Sequence, residues 1–324
     1  MRSEGTVLPR FGASPDDKFR GKHILSVKQF DRSDIDRVLR VAHEMRTVVD
    51  VVGSIDLLKG CVLANLFYEP STRTSSSFIA AMQRLGGDVV AINEVRYSSV
   101  AKGETLEDTV RTLEAYADVM VLRHHEEGAA ARAASVMRKP LINAGDGAGE
   151  HPTQALLDLF TMREEVGRLE GIEIALVGDL KYGRTVHSLA RLAHYYDITL
   201  RLVSPPSLAM PASVLADMDA LGTKYTVHES LDDVLGSLDI LYMTRVQKER
   251  FANIADYEAV KGSYVITPKT MSGMRANTAL LHPFPRVDEI DTAVDNDPRA
   301  AYFREIACGM VVRMALLAMV LGRA

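Results

Sequence analysis

The stretch from Cys61 to Gly87 constrains the fold more than any other. Residues 61–67 form an apolar run long enough for one buried strand. Phe78, Met82 and Leu85 then recur at helical spacing, and Gly86-Gly87 supply a C-terminal stop. Between strand and helix lies Ser71-Thr72-Arg73-Thr74. Hydroxyls at a helix start are ordinary caps. Capping does not explain Arg73, because a cation is disfavoured at the positive end of a helix dipole. An anion docked there would meet backbone N–H groups, hydroxyls and a guanidinium fork together. The segment therefore reads as a phosphate cradle.

The same alternation recurs along the chain. Strands are expected at 89–92, 118–122 and 140–143, with helices at 35–45, 105–117, 129–137 and from Pro152 through Phe160. Thr105 and Asp108 have the spacing of a capping box, and Pro152 suits a first helical position. A second set follows: strands at 172–177, 198–203, 225–228, 240–243, 264–266 and 279–281, and helices at 185–195, 213–221 and 232–236. An apolar tail, 310–321, is a helix with no strand after it. Strand–helix alternation in both halves predicts an α/β fold with two doubly wound parallel sheets. The 324 residues suffice for two such domains.

Net charge is −5, which argues against general affinity for nucleic acid or an anionic membrane. No apolar run reaches membrane-spanning length, and the first twenty residues lack a signal-peptide core. Cys61 and Cys308 have neither metal-ligand spacing nor a disulfide framework, so a reduced, cytoplasmic compartment is expected. The nine histidines are scattered, and no metal or other cofactor is expected.

Polar residues gather after strands. Arg73 and Thr74 follow one, Arg123 another, and His151 with Gln154 a third. Ligands of open α/β sheets bind outside the carboxyl ends of strands. Singly, Arg123 reads as a surface charge and His151 as a capping or core histidine. Their shared position at equivalent strand ends points to one site. In the second half, Gly178-Asp-Leu-Lys-Tyr-Gly183-Arg184-Thr185 nearly matches a nucleotide P-loop, with Arg where Lys belongs. Arg suits bidentate capture of a carboxylate, so ATP is not the first reading. His282-Pro283-Phe284-Pro285 is rigid and short of donors.

The run Phe67-Tyr-Glu-Pro-Ser-Thr-Arg-Thr74 resembles the carbamoyl-phosphate motif of the aspartate and ornithine carbamoyltransferases, and the resemblance extends from about Phe19 to Gly322. It implies that Ser71, Thr72, Arg73 and Thr74 hold the phosphate of carbamoyl phosphate. Thr74, Arg123 and His151 would polarise its carbonyl oxygen, while Gln154 and carbonyls of Pro283, Phe284 and Pro285 would hold its amine. Met243-Thr-Arg245-Val-Gln247-Lys-Glu-Arg250 matches a segment that the ornithine enzymes lack. The resemblance places Arg184, Arg245 and Gln247 on L-aspartate; from a neighbouring subunit of a homotrimer it brings Ser98 to carbamoyl phosphate and Lys102, as a catalytic residue, to aspartate. Phe284 stands where Leu or Met is usual, and His125 where Pro is usual.

By the same resemblance, the tail returns to the first domain. The expected division is 1–151 completed by about 300–324, and 152–299. The implied reaction is carbamoyl transfer to aspartate in pyrimidine synthesis, possible in association with other enzymes of that route or with regulatory chains. The motif wording is closest to the transferase domain of eukaryotic multifunctional pyrimidine-synthesis polypeptides. An ornithine-type transferase and a non-catalytic carbamoyl-phosphate-binding subunit are the alternatives.

Overall fold

The computed structural model describes residues 8–12, 17–92, 102–147, 149–251 and 253–324. The chain divides into two compact units, Met1–Leu156 with Ala307–Ala324, and Leu157–Ile306.

The first unit holds strands β1 (Val62–Phe67), β2 (Asp88–Ile92), β3 (Val119–His124) and β4 (Leu141–Asp146) in the order β2-β1-β3-β4, all parallel. Its helices are α1 (Arg32–Val51), α2 (Thr72–Arg84), α3 (Leu106–Glu114) and α4 (Ala129–Ser135). α1 starts where Asp31 accepts from the Asp34 N–H and Asp34 accepts from the Asp31 N–H, a reciprocal cap. Ile35, Val38, Leu39, Ala42 and Met45 form its buried stripe. α3 is capped by Thr105, which accepts from the Asp108 N–H. Ahead of α1, Val27–Gln29 form one 3₁₀ turn, and Ile24 bridges to Ile142. Central strands β1 and β3 are buried on both faces, as a sheet covered by helices requires.

The second unit holds β5 (Glu173–Val177), β6 (Thr199–Val203), β7 (Lys224–His228), β8 (Ile240–Met243) and β9 (Ala279–Leu281) in the parallel order β7-β6-β5-β8-β9. Two helices, α5 (Pro152–Val166) and α10 (Tyr302–Val320), contain the points of division between the units. Within the second unit lie α6 (Arg184–Leu192), α7 (Ala212–Leu221), α8 (Ile254–Val260) and α9 (Pro268–Gly273). Two expected elements are absent. Residues 264–266 make a single bridge, Ile266 to Ile290, and no strand ladder. Residues 232–236 are turns; the run is too short to repay helix nucleation.

α10 begins eight residues before the expected helix, at Tyr302. From Val311 to Val320 it is buried on every side. Its tail belongs to the first unit: Gly21 donates to the Val320 carbonyl at 2.8 Å, and Arg313 donates to Ser77 Oγ at 2.9 Å while lying over the Phe78 ring. No helix among the described residues is long and apolar enough to cross a membrane.

Candidate active site

In the first unit, strand order places three loops side by side. β1 neighbours β3, and β3 neighbours β4. Phe67, the last residue of β1, pairs in register with Arg123. The Tyr68 N–H donates to the Arg123 carbonyl at 2.8 Å, so the cradle loop leaves the sheet fixed beside Arg123. Ser71 occupies the N-cap position of α2 in extended conformation, yet its side chain makes no cap hydrogen bond. Plain capping therefore does not account for this hydroxyl. Thr74 is buried, Ser71 half-buried, and Thr72 and Arg73 exposed.

Arg123 is held by neighbours in its own unit. One terminal nitrogen donates to Glu69 Oε1 at 2.8 Å and the other to the Ala144 carbonyl at 3.4 Å. Its Nε is buried without a hydrogen-bond partner among the described residues. A buried N–H of a charged group left unsatisfied is costly, and an oxygen ligand would relieve it. His151 follows β4 and precedes α5; it is buried, and its carbonyl accepts from the Gln154 N–H at 3.0 Å. Its Nδ1 lies 3.4 Å from Thr153 Oγ1. Arg73, Thr74, Arg123, His151 and Gln154 thus sit at adjacent carboxyl ends of one sheet, the side on which such sheets take ligands. Glu69, the partner of Arg123, stands inside the cradle motif but received no role from sequence reasoning.

The second unit repeats the arrangement with β5, β8 and β9, whose carboxyl ends lead into 178–184, 244–247 and 282–285. Val177 pairs with Met243, so the first two loops start level. Gly178 has φ +109, and a Cβ there would come within 2.4 Å of the Thr244 carbonyl oxygen. Only glycine permits that approach. Asp179, fully buried, then joins the loops. Its Oδ1 accepts from the N–H groups of Lys181 and Tyr182 at 3.2 and 2.9 Å, and its Oδ2 from the Gln247 N–H at 3.4 Å. Its own N–H donates to Thr244 Oγ1 at 3.0 Å. Burial pushes the Asp179 carboxyl above its ordinary range, against the pull of those N–H groups. The Gln247 side chain donates to the Tyr182 carbonyl at 3.4 Å. Arg184 opens α6, and Arg184, Arg245 and Gln247 are all half-buried.

This explains physically why the near-match to a P-loop is not a nucleotide cradle. A P-loop offers its backbone N–H groups to phosphate. Here those of Lys181 and Tyr182 are already taken by a carboxylate, and those of Leu180 and Arg184 by the carbonyls of Leu208 and Tyr182.

The turn at 282–285 is held from within. The Phe284 N–H donates to His282 Nδ1 at 2.8 Å, which puts the ring proton on Nε2, facing Glu289 Oε1 at 2.6 Å. Burial pushes the Glu289 carboxyl up, but the bonds from His282 and from backbone N–H groups outweigh it, and the group lies below its usual range. Phe284 takes φ +54, unusual for a residue with a side chain, and its ring packs edge-on to Tyr302. The peptide bond to Pro285 is cis.

Two expected residues stand apart from these clusters. Lys102 is exposed, and Ser98 lies outside the described residues. Among the described residues, no group of three or more His, Cys, Asp or Glu is arranged to hold a metal ion.

Residues 22–164 match the family model for the carbamoyl-phosphate-binding domain of aspartate/ornithine carbamoyltransferases, and residues 170–320 match the Asp/Orn-binding domain. Multifunctional protein pyr1-3 of Dictyostelium discoideum is 52% identical over 321 residues, 99% of this chain. Multifunctional protein CAD of Squalus acanthias is 54% identical over 305 residues, 94% of the chain. The chain spans 14% of the length of each of these two relatives. The aspartate carbamoyltransferase catalytic subunit of Thermococcus gammatolerans is 46% identical over 304 residues, covering 94% of this chain and 99% of that one. Aspartate transcarbamoylase of Trypanosoma cruzi in complex with carbamoyl phosphate and aspartate superposes with a TM-score of 0.90 at 44% identity, covering 97% of this chain and 100% of that one.

Proposed function

The chain belongs to the aspartate/ornithine carbamoyltransferase family, and from that premise we propose that it transfers the carbamoyl group of carbamoyl phosphate to L-aspartate, giving N-carbamoyl-L-aspartate and phosphate for pyrimidine synthesis. The observation that carries the choice of acceptor is the loop pair joined by Asp179. It presents Arg184, Arg245 and Gln247, donors suited to two carboxylates, while the one acid of the 178–185 segment is consumed by backbone N–H groups.

In this reading Ser71, Thr72, Arg73 and Thr74 bind the phosphate, with Ser98 assisting. Thr74, Arg123 and His151 donate to the carbonyl oxygen. Gln154 and the carbonyls at 283–285 hold the carbamoyl amine. The aspartate amine attacks the carbonyl carbon from about 3–3.5 Å. Charge grows on the oxygen, where fixed donors stabilise it. The bond from carbon to the phosphate oxygen then breaks, and the leaving phosphate takes the amine proton. Within this chain, Arg123 is preorganised by Glu69 and the Ala144 carbonyl, so little reorganisation remains at the moment of reaction. Steady-state assay with carbamoyl phosphate and either aspartate or ornithine tests the reading. Faster turnover of ornithine would overturn it.

The reading extends to assembly. Exposed Lys102, with Ser98, acts in the site of the next copy in a cytoplasmic homotrimer, whose head-to-tail interface closes by cyclic symmetry. The multifunctional relatives support association with further enzymes of pyrimidine synthesis. Mixing Lys102→Ala and Arg245→Ala proteins after dissociation, at limiting aspartate where each parent is nearly inactive, should restore activity, because some hybrid sites then carry both native residues. Verified hybrids as inactive as their parents would refute site sharing.

A further inference from the structure

Inside the second unit, two acids meet away from any solvent. Asp158 on α5 is fully buried, and Glu305 on α10 is 2% exposed. They hydrogen-bond each other. Two donors reach them from neighbouring elements. Tyr242 on β8, also fully buried, donates to Asp158 Oδ2 at 3.0 Å. The His282 N–H donates to Glu305 Oε2 at 2.9 Å. Ionised carboxylates only accept, so a hydrogen bond between the two requires a proton on one of them. The chain of bonds ends at the 282–285 turn, because the His282 ring accepts from the Phe284 N–H.

We propose that Asp158 and Glu305 are a positioning pair which shares one proton and, through His282, fixes the 282–285 turn onto α5 and β8. The inference rests on the reading that this turn holds the carbamoyl amine. Neither acid touches substrate in that reading; both act through the His282 backbone.

The groups around the pair favour this state. Burial and the charge of Asp158 push the Glu305 carboxyl well above its ordinary range, while the His282 N–H pulls it down. Burial, followed by the charges of Asp158 and Glu305, holds the Tyr242 hydroxyl well above its own range, so it remains a donor. Tyr242 also hydrogen-bonds Thr185 on α6. Behind His282, Glu289 accepts from the ring. Of the basic groups nearby in sequence, Arg304 donates to Glu165 at 2.7 Å, and Arg163 lies over the Phe160 ring. Removing the shared proton to solvent would leave two like charges in a dry interior. The pair must then separate, and the turn that Glu305 holds through the His282 N–H moves with it.

Folded protein holds this proton at pH values where an unfolded carboxyl has released it. Its stabilising effect is complete below about pH 4.5 and is lost as pH rises towards the folded value. Glu305→Gln retains a donor towards Asp158 and an acceptor for His282 without the titration, and Asp158→Asn removes the same titration from the other side.

The test compares wild type, Glu305→Gln, Asp158→Asn and Glu305→Leu as full chains. Infrared difference spectra at pH 7.5 (about one unit above the usual histidine range) should show a protonated-carboxyl band in wild type that both amide variants lack. The melting temperature of Glu305→Gln relative to wild type should rise between about pH 5 and pH 9. Glu305→Gln should keep kcat within about twofold, whereas Glu305→Leu, which loses both bonds, should lower it by about 10-fold to 10²-fold. Absence of the band from wild type, or its persistence in both amide variants, would overturn the shared proton. A folded Glu305→Leu protein with wild-type kcat would reduce the pair to core packing and overturn the positioning role. If that variant does not fold, the spectral and melting comparisons still decide on the proton, and a wild-type pH profile of kcat/KM retained in both amide variants overturns the positioning role. Loss of the functional reading is separate: it shows as a wild-type protein inactive with aspartate, whatever its infrared spectrum.

Discussion

The two units solve the same problem by different means. In the first, the side chains proposed to meet carbamoyl phosphate sit on the ends of regular elements: Arg123 on β3, Thr74 in the first turn of α2, Gln154 in the first turn of α5. Backbone geometry aims them, and one acid, Glu69, steadies one of them. In the second, buried Asp179 joins the loops carrying Arg184 and Arg245, and the His282–Glu289 pair holds the 282–285 turn from within. The first arrangement survives as long as its strands and helices do. The second depends on individual polar bonds, each exposed to failure by a single substitution or proton.

The largest effect should come from the first unit. His151→Ala should lower kcat by about 10²–10³, the usual cost of one oxyanion-type donor, with far less change in KM for carbamoyl phosphate. An unchanged kcat with a raised KM would make His151 a binding residue only.

Next is Arg245→Ala. Losing a charge-assisted hydrogen bond worth about 1.5–3 kcal/mol should raise KM for aspartate roughly 10-fold to 10²-fold. Calorimetric binding of carbamoyl phosphate should not change. Parallel losses in both affinities would show that Arg245 does not act on aspartate alone.

Asp179→Asn sharpens the comparison, because this residue touches no substrate in the proposed reading. The amide can accept through one oxygen only, so one of the bonds to Lys181, Tyr182 or Gln247 must weaken. About 1–2 kcal/mol, hence roughly a 5-fold to 30-fold rise in KM for aspartate, is expected from one buried hydrogen bond. Wild-type kinetics in a stable Asp179→Asn protein would mean that the loops hold themselves.

The smallest effect concerns stability alone. Glu289 titrates below its ordinary range in the folded state, so its contribution is present above about pH 4.5 and is lost as pH falls through the folded value. Glu289→Gln should cost about 1–2 kcal/mol at pH 7, and the gap from wild type should close in acid. A gap independent of pH would assign the loss to packing.

Much of the first unit was legible in sequence because its signals are local. A buried strand, a hydroxyl-rich turn and a helix lie within 61–87, and each announces itself through spacing and residue type. Parallel alternation was equally plain, since apolar runs of strand length recur with helical segments between them. The reading failed where a run was short. Residues 264–266 are as apolar as a strand needs, yet Ile266 finds only one bridge. Whether a strand forms depends on an available edge, which three residues cannot reveal.

What sequence alone determined, then, is the class of fold, the strand, turn and helix within 61–87 and the place of the two basic segments after strands: properties carried by neighbouring residues. Only the tertiary structure decided which acids hold those residues in place. Glu69 reaches Arg123 across 54 positions, Asp179 reaches Gln247 across 68, and His282 meets Glu305 across 23. No spacing rule predicts such pairs. A carboxylate in a sequence is a solvated charge by default, and it becomes a structural bond only when folding removes its water and supplies donors in exchange.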